Sequence, residues 1–471
     1  MQHTEEQQKI LSHVKNTTGL TLIDSVAGSG KTTMLVAIAK TIPHANGLYL
    51  AYNRSIATEA GRKFPKTTSC MTTHKLAYAA TVKPYKLKLG SFTYRDIEEK
   101  ISYEYKVDIL NTMKQFCLSK YTDLSMFAKE EGIPDLYKTI IQKYLSKMQS
   151  ADIECTHEFY LKLFHILLAN NEIEYNNFDF IMLDEAGDLN EVTLEIFRLL
   201  PSNRKIAVGD PLQNIYTFNH TINCFEVLRD EGTMLKMSQS FRVADYIAER
   251  IEKFCIRYLD PDMEFKGIKV VDSTINSNGY LTRTNGALIA KMIELNIQNT
   301  PYALVRKATE IFRIPLMLCN IKYQGFISDQ AYKHLQVDID DWYENDHIRS
   351  NYTSPLMYIA NVHKEDQQLV QAIRLIQRYG KPSIMNAYSE AKKHENTKQK
   401  YILATAHSCK GLEFDEVTIS TDLNDSISEI LASIQAGKKH SELSPSEQES
   451  LNLYYVACSR SAKVLNNAIH I

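Results

Sequence analysis

The feature that most constrains the fold is an apolar segment that leads through a glycine-containing loop into a second apolar segment. Residues 21–26 have the character of a short strand, residues 27–33 (AGSGKTT) interrupt it, and residues 34–40 (MLVAIAK) indicate a helix. A strand, a loop and a helix in this order are typical of a phosphate-binding loop in an α/β protein.

The residue types in this loop suit the binding of ATP and Mg²⁺. Glycines let backbone N–H groups turn toward phosphate oxygens, and the start of a helix adds positive potential. Lys31 can reach the β- and γ-phosphates, and the Thr32 hydroxyl can bind Mg²⁺. Ser25 stands where the consensus has its first glycine, and an incidental turn before a surface helix is the alternative. The predicted nucleotide-binding residues are Ala27, Gly28, Ser29, Gly30, Lys31, Thr32 and Thr33.

Composition limits the alternatives for the whole chain. Its 471 residues exceed what one hydrophobic core usually organises, so several domains are expected. The net charge of −2 gives no global basic field, and any contact with DNA must therefore be local. Eight scattered cysteines without a C-x-x-C pair fit buried thiols in a reducing compartment. Lacking a secretory start or a membrane-spanning run, the chain is expected to be soluble and cytoplasmic, in the host cytoplasm if viral.

A second apolar run, residues 178–183, ends in two adjacent carboxylates. It is typical of a buried parallel strand. At its end, Asp184 would hold Mg²⁺ and Glu185 would polarise the water that attacks the γ-phosphate. Taken alone, an acidic turn here also fits a helix N-terminus.

A third strand is predicted at residues 205–208, followed by a Gly-Asp-Pro turn and Gln213. A glutamine at a strand end beside the nucleotide can respond to the presence of the γ-phosphate. The alternative is a plain turn with no role in catalysis.

The order of these segments resembles that of a known family. With further segments, they resemble the motifs of the UvrD/Rep/PcrA family of superfamily 1 DNA helicases, and most closely its F-box DNA helicase-like branch. The matching segments are residues 4–8, 27–33, 50–57, 72–77, 183–188, 208–218, 239–242, 405–415 and 453–460.

The resemblance implies roles for residues that the spacing alone does not assign. Gln7 would read the adenine and Phe241 would stack on it. Arg242 and Arg460 would neutralise γ-phosphate charge from a second motor domain, and Glu413 would help close the cleft over the nucleotide. Considered singly, the two arginines also fit surface salt bridges.

The family also grips bases with aromatic side chains, which suits a motor that must ignore sequence. Tyr52 and Phe218 fall at such positions, although as isolated residues they also fit a core. Two departures from the family pattern matter: Gly187 replaces a glutamine, and Thr73 replaces a common aromatic. The DNA-contacting residues implied by the resemblance are Tyr52, Asn53, Thr72, His74, Tyr216, Phe218 and His407.

The predicted fold class is α/β. The resemblance implies two RecA-like parallel-sheet motor domains of the P-loop NTPase type, with ATP bound between them. A mainly helical insert, 1B, interrupts the first domain, and a smaller insert, 2B, interrupts the second. Lysines and tyrosines in 1B fit either a track for single-stranded DNA or an ordinary helical surface. The predicted boundaries are 1–80 and 155–232 for domain 1A, 81–154 for 1B, 233–306 and 398–471 for domain 2A, and 307–397 for 2B.

The leading hypothesis is an ATP hydrolase acting as a DNA helicase or translocase on single-stranded DNA, with 3′→5′ polarity implied by the resemblance. Its partners would be single-stranded DNA, single-strand/duplex junctions, and single-strand-binding or recombination proteins, with no membrane, and the protein would be a monomer. One alternative is a translocase that strips recombination proteins from DNA with little unwinding. Another is a nucleotide-dependent switch that binds a protein partner.

Overall fold

The computed structural model describes residues 3–42, 44–175, 177–215, 221–270, 272, 274–320, 327, 329, 332–364 and 366–471. The chain forms two compact units. The first comprises Met1–Phe241 and Glu264–Lys266, and the second comprises Arg242–Met263 and Gly267–Ile471. Each unit contains a parallel sheet flanked by helices, so the predicted α/β class with two parallel-sheet domains is confirmed.

The first unit is built from the following elements. Its strands are β1 (Gly19–Ser25), β2 (Gly47–Ala51), β3 (Thr68–Thr72), β4 (Phe180–Leu183), β5 (Leu189–Asn190), β6 (Arg204–Gly209), β7 (Thr221–Ile222) and β8 (Gly232–Met237). Its helices are α1 (Glu5–Asn16), α2 (Lys31–Thr41), α3 (Arg54–Lys63), α4 (Thr73–Ala80), α5 (Tyr103–Leu118), α6 (Leu124–Glu130), α7 (Asp135–Gln149), α8 (His157–Ala169), α9 (Glu191–Leu199) and α10 (Cys224–Val227).

Six strands of this unit form one sheet in the order β3-β2-β4-β6-β1-β8, and the neighbouring strands pair in parallel. Successive residues of a strand face opposite sides, and here both sides are apolar. Along β4, Ile181 and Leu183 pack into the core on one face, while Phe180 and Met182 pack into the core on the other. Because the strand is buried on both faces, its sequence shows a continuous apolar run instead of an alternating pattern.

The last strand of this sheet lies outside the sequence-based limits of domain 1A. Residues 233–237 of β8 were assigned to domain 2A, yet β8 pairs with β1 from Leu20↔Gly232 to Ser25↔Met237, and the first unit continues to Phe241. An apolar run indicates a strand without indicating its neighbour, so the pairing partner had no local signal.

A helical region, α4–α8, separates β3 from β4 along the chain. Its apolar side chains share one core with a face of the sheet. Phe116, Tyr144 and Phe164 are among the buried members of that core. The proposed limits of the 1B insert, residues 81–154, enclose α5, α6 and α7 and leave α8 in domain 1A.

The strand β9 (Gln239–Ala244), paired with β10 (Lys266–Ile268), carries the chain from the first unit into the second. The remaining strands are β11 (Asn278–Thr282), β12 (Ala303–Leu304), β13 (Tyr401–Thr405), β14 (Phe414–Ile419) and β15 (Ser461–Asn466). The helices are α11 (Asp245–Tyr258), α12 (Asn285–Ile297), α13 (Ala308–Ile311), α14 (Arg313–Asn320), α15 (Leu335–Glu344), α16 (Asp346–Asn351), α17 (Pro355–Val362), α18 (Gln367–His394, interrupted at Gly380), α19 (Thr421–Gln435) and α20 (Pro445–Cys458).

The sheet of the second unit has the order β12-β13-β11-β14-β15, with parallel pairing throughout. A separate small core that includes Leu335, Ile339 and Ile373 lies within the range proposed for the 2B insert. The eight cysteines, all within the described ranges, are free thiols, and seven are buried. In the part of the chain that the structure describes, no helix is long and apolar enough to cross a membrane.

Candidate active site

The phosphate loop connects the end of β1 to the start of α2 at the carboxyl edge of the first sheet. Gly28 has φ 75° and Gly30 has φ 83°, both in the left-handed region. This region is open to glycine at little cost and strains other residues, so the loop conformation depends on these two positions. Lys31, Thr32 and Thr33 then form the first turn of α2, whose unpaired N–H groups favour an anion.

Ser25, the departure from the consensus glycine, has a structural role. Its hydroxyl donates a 2.7 Å hydrogen bond to the carbonyl oxygen of Gly209, and both groups are buried. The serine therefore joins the end of β1 to the end of β6, the strand that precedes Gln213.

The polar groups in and beside the loop fit a magnesium nucleotide. The Ser29 hydroxyl oxygen is buried and, among the described residues, has no hydrogen-bond partner. A buried hydroxyl without a partner is costly unless a ligand satisfies it. Lys31 Nζ lies 3.6 Å from Glu185 Oε2. Together with Thr32 and Asp184, these residues supply a cation, hydroxyls and carboxylates, which is the donor set for phosphate and Mg²⁺.

Asp184 and Glu185 follow β4, as the sequence predicts. Asp184 is buried, and its carboxylate accepts hydrogen bonds from the Tyr49 hydroxyl at 2.5 Å and from the Glu185 N–H at 2.9 Å. Burial and then the charge of Glu185 raise the pKa of Asp184 above its ordinary value. Glu185 has φ 54°, an uncommon conformation for a residue with a side chain, and such strain concentrates at functional sites.

Gln213 lies in a 3₁₀ turn, Pro211–Gln213, directly after β6. It is buried, and its side-chain NH₂ donates to Asp210 Oδ2 at 2.7 Å, while its backbone N–H donates to the Asp210 carbonyl at 3.0 Å. Asp210 thereby fixes the orientation of the glutamine.

Gln7 and Phe241, which were predicted to contact the adenine, are fixed by different hydrogen bonds. Gln7 belongs to a capping box in which its side-chain oxygen accepts from the Thr4 N–H at 3.2 Å. Phe241 is half exposed, and its backbone N–H donates to the Gly28 carbonyl at 2.9 Å. A Cβ atom added at Gly30 would lie 3.9 Å from the Phe241 ring, so this ring lies against the phosphate loop.

Glu6 is a site-supporting residue that the sequence reasoning did not single out. Its carboxylate accepts hydrogen bonds from the Ser238 N–H at 2.8 Å and from the Ser238 hydroxyl at 2.6 Å. This pair joins α1 to the chain just before β9, which carries Phe241. An acidic residue in the first turn of a helix also interacts favourably with the helix dipole. The sequence therefore gives no sign that Glu6 makes a specific contact.

Three of the predicted residues lie together within the second unit. Arg242 Nε donates to Glu413 Oε2 at 2.8 Å. Burial and then the charge of Arg460 lower the pKa of Arg242. Arg460 is itself buried, and its Nε donates to the Val456 carbonyl at 3.0 Å. Two guanidinium groups are thus held close together, which concentrates positive charge.

The predicted DNA contacts of the first unit begin with residues at the ends of β2 and β3. Tyr52 is half exposed, and burial followed by the charges of Asp188 and Glu185 raises its pKa. The side chains of Asn53 and Thr72 cap α3 and α4 by accepting backbone N–H groups at 2.9 and 3.1 Å. Carboxyl ends of parallel strands are where α/β proteins bind ligands.

The two histidines that were predicted to contact DNA have different surroundings. His74 Nδ1 lies 3.1 Å from the Tyr160 hydroxyl, and burial followed by the charge of His157 lowers the pKa of His74. His407, in the second unit, lies 3.5 Å from both Arg283 and Glu449. Tyr216 and Phe218 lie outside the described residues.

The chain is similar in sequence to one protein-family model and to curated proteins. A family model described as an AAA domain matches residues 7–219. F-box DNA helicase protein 1 of Schizosaccharomyces pombe is 24% identical, with 99% of this chain and 57% of the relative covered. F-box DNA helicase 1 of Gallus gallus is 23% identical, with 98% and 48% covered. The resemblance to UvrD/Rep-like helicases is confirmed. The chain spans about half the length of the curated relatives it matches.

Proposed function

We propose that the chain is an ATP-driven DNA helicase that moves 3′→5′ along single-stranded DNA. The observation that carries the proposal is the phosphate loop facing a buried Asp184 and a partly buried Glu185, in a chain of which 98–99% aligns with proteins named DNA helicases. Single-stranded DNA and its junctions with duplex are the proposed substrates, and single-strand-binding or recombination proteins are the proposed partners. The associated processes are DNA replication, repair or recombination.

For hydrolysis, each residue of the first unit has a distinct proposed task. Lys31 binds the triphosphate and Thr32 binds its metal. Asp184 holds the same metal from the end of β4. Bound Mg²⁺ supplies charge neutralisation for the phosphates. Glu185 orients the attacking water and accepts its proton, which requires its 3.6 Å contact with Lys31 to loosen when phosphate binds. Gln213 responds to the γ-phosphate.

The second unit is proposed to add charge in the transition state. Arg242 and Arg460 would act on the γ-phosphate, where a positioned arginine is worth about 10³–10⁵ in rate. Glu413, which binds Arg242 at 2.8 Å, would help to close the cleft over the nucleotide. Gln7 and Phe241 would hold the adenine.

Single-stranded DNA is proposed to bind through stacking of its bases on aromatic side chains and through local polar contacts. Aromatic stacking is worth about 1–3 kcal/mol per base and is independent of sequence. The half-exposed ring of Tyr52 suits such a contact. The proposed DNA-contacting residues remain Tyr52, Asn53, Thr72, His74, Tyr216, Phe218 and His407.

Strand separation on tailed duplexes tests the proposal. With ATP and Mg²⁺, a duplex with a 3′ single-stranded tail should be unwound, whereas a blunt duplex and a 5′-tailed duplex should not. Glu185→Gln, which keeps the volume of the side chain, is the control for hydrolysis. Preferential unwinding of the 5′-tailed duplex would contradict the polarity. ATP hydrolysis stimulated by DNA without strand separation would favour the protein-stripping translocase, and hydrolysis that DNA does not affect would favour the nucleotide-dependent switch.

A further inference from the structure

Two histidines from different helices of the first unit share one buried tyrosine hydroxyl. His74 lies in the first turn of α4, and His157 begins α8, which packs against α4. The Tyr160 hydroxyl oxygen lies 3.1 Å from His74 Nδ1 and 3.2 Å from His157 Nδ1. Tyr160 is 3% exposed, whereas both histidines are exposed. A chain of polar atoms therefore runs from one exposed ring, through a buried hydroxyl, to the other ring. We call these residues the His74–Tyr160–His157 trio.

The number of protons restricts how the trio can be hydrogen-bonded. A tyrosine hydroxyl has one proton, so Tyr160 can donate to only one of the two Nδ1 atoms, and the other histidine must donate its own Nδ1–H. A neutral imidazole carries a single N–H. A neutral histidine that accepts at Nδ1 therefore has its proton on Nε2, and one that donates from Nδ1 has a bare Nε2.

The tyrosine itself stays a neutral hydroxyl. Burial, followed by the charges of Cys155 and Glu158, raises the pKa of Tyr160 to about 12, and Tyr78 on α4 acts in the same direction. The rings of Tyr78 and Tyr160 meet edge to face, with their centroids 6.1 Å apart. Changes of charge near neutral pH are thus confined to the two histidines.

Of these two, His157 is expected to take up a proton. Partial burial and then the charge of His157 lower the pKa of His74, although Glu158 opposes this. The two imidazole centroids are 6.3 Å apart, so a second positive charge would be repelled by the first. A protonated His157 can only donate at Nδ1, which makes Tyr160 donate to His74 and leaves the proton of neutral His74 on Nε2.

The position of both histidines links this proton to an anion. His157 is the first residue of α8, and His74 is the second residue of α4. The start of a helix disfavours a positive charge and favours a negative one. A proton on His157 is therefore held best when a phosphate oxygen lies beside these rings, and we expect phosphate and proton to bind together.

We propose that the His74–Tyr160–His157 trio makes the binding of single-stranded DNA dependent on pH, with Tyr160 and His157 as positioning residues for His74. Protonated His157 holds His74 as an Nε2–H donor to DNA oxygens and adds attraction for phosphate. When His157 is neutral, the hydrogen bonds can reverse, and His74 then presents a bare nitrogen. The inference rests on the proposed function, in which His74 contacts DNA, and adds two residues of α8 to that contact.

The test measures the Kd of the full chain for fluorescein-labelled oligothymidylate at about pH 6 and about pH 8, the range in which histidine changes charge. Ionic strength is held constant because phosphate contacts depend on salt. Tyr160→Phe removes the hydroxyl and keeps the ring, and His157→Gln replaces the ring by a side chain that does not titrate. His13→Gln on α1 is the matched control, because His13 belongs to the same unit and lies outside the trio.

The wild-type chain should bind oligothymidylate about tenfold more tightly at the lower pH, the gain expected from one hydrogen bond to a charged group. In Tyr160→Phe and in His157→Gln this ratio should fall to about twofold, because other histidines, such as His407, still titrate. The double variant should be no worse than the poorer single variant, since both interrupt one chain of hydrogen bonds. His13→Gln should keep the wild-type ratio.

Nitrogen NMR of the wild-type chain, labelled on its histidines, gives a second measurement that does not depend on the folding of Tyr160→Phe or His157→Gln. Loss of one signal in His74→Gln assigns the resonances of His74. At the lower pH and with oligothymidylate bound, neutral His74 should carry its proton on Nε2.

Several results would overturn the inference. One is a wild-type chain that binds oligothymidylate no more tightly at the lower pH. Another is a wild-type ratio retained in Tyr160→Phe and His157→Gln, or an equal loss of affinity at both pH values, which would make the trio merely structural. A proton on Nδ1 of neutral His74 in the complex would also overturn it. A wild-type chain with no affinity for oligothymidylate at either pH would instead contradict the proposed function.

Discussion

Asp184 is a buried carboxyl group whose ionised form depends on its immediate neighbours. Burial and the charge of Glu185 raise its pKa, whereas the hydrogen bond from Tyr49 and the charge of Lys31 oppose that rise. An ionised carboxylate is required to hold Mg²⁺, so proton and metal compete for the same oxygen atoms. Tyr49 carried no functional signal in the sequence because it lies in the middle of an apolar strand.

Tyr49→Phe should shift the acid limb of the ATPase pH profile to higher pH by about one unit. A hydrogen bond to a charged group contributes about 1.5–3 kcal/mol, and its loss lets the pKa of Asp184 rise further. The ring still packs on Phe64, 4.7 Å away between centroids, so folding should persist. Raising the Mg²⁺ concentration should restore the wild-type limb, because metal displaces the proton. An unchanged acid limb would show that Tyr49 does not support Asp184.

The strands and the helix that form the site could be predicted from local sequence patterns. Residues 21–26, 178–183 and 205–208 gave strand signals, and the structure has β1, β4 and β6 at Gly19–Ser25, Phe180–Leu183 and Arg204–Gly209. Apolar runs bounded by turn residues are sufficient for this. Helix α2 was likewise indicated by the residues that follow the loop.

Contacts between distant residues could not be predicted from the same patterns. The bond from Ser25 to Gly209 joins residues 184 positions apart, and the bond from Ser238 to Glu6 joins residues 232 positions apart. A serine at a strand end and an acid in a first helical turn each have common local explanations. The pairing of β8 with β1 was missed because a strand pattern does not show which strand lies beside it.

Ser25→Gly, which restores the consensus glycine, should destabilise the first unit instead of improving it. Loss of the buried hydrogen bond between β1 and β6 costs about 1 kcal/mol, and the added backbone freedom of glycine costs about 0.5–1 kcal/mol. Urea denaturation should show this loss, while the ATPase kcat stays within about twofold of wild type. Ser25→Ala separates the cost of the lost hydrogen bond from the cost of the added backbone freedom, since it removes only the hydrogen bond. Unchanged stability in both variants would assign no role to the contact.

At the scale of the molecule, two parallel-sheet units carry complementary halves of the proposed chemistry. The first unit contains the phosphate loop, the acidic pair and the sensor turn, and the second contains Arg242, Arg460 and Glu413. The net charge of −2 supplies no field to attract DNA, so the proposed binding of DNA would have to come from a local surface. If the two units act together on ATP as proposed, hydrolysis should depend on DNA.

The most direct test is steady-state ATP hydrolysis by the wild-type chain with and without single-stranded DNA, using Glu185→Gln as the control. We predict that oligothymidylate raises the wild-type kcat by about tenfold or more, as expected when a second domain adds charge to the γ-phosphate. We also predict that Glu185→Gln lowers the stimulated rate by about 10²–10⁴ while ATP still binds. A wild-type rate that single-stranded DNA leaves unchanged would contradict the proposal that the chain is a DNA-dependent ATP hydrolase.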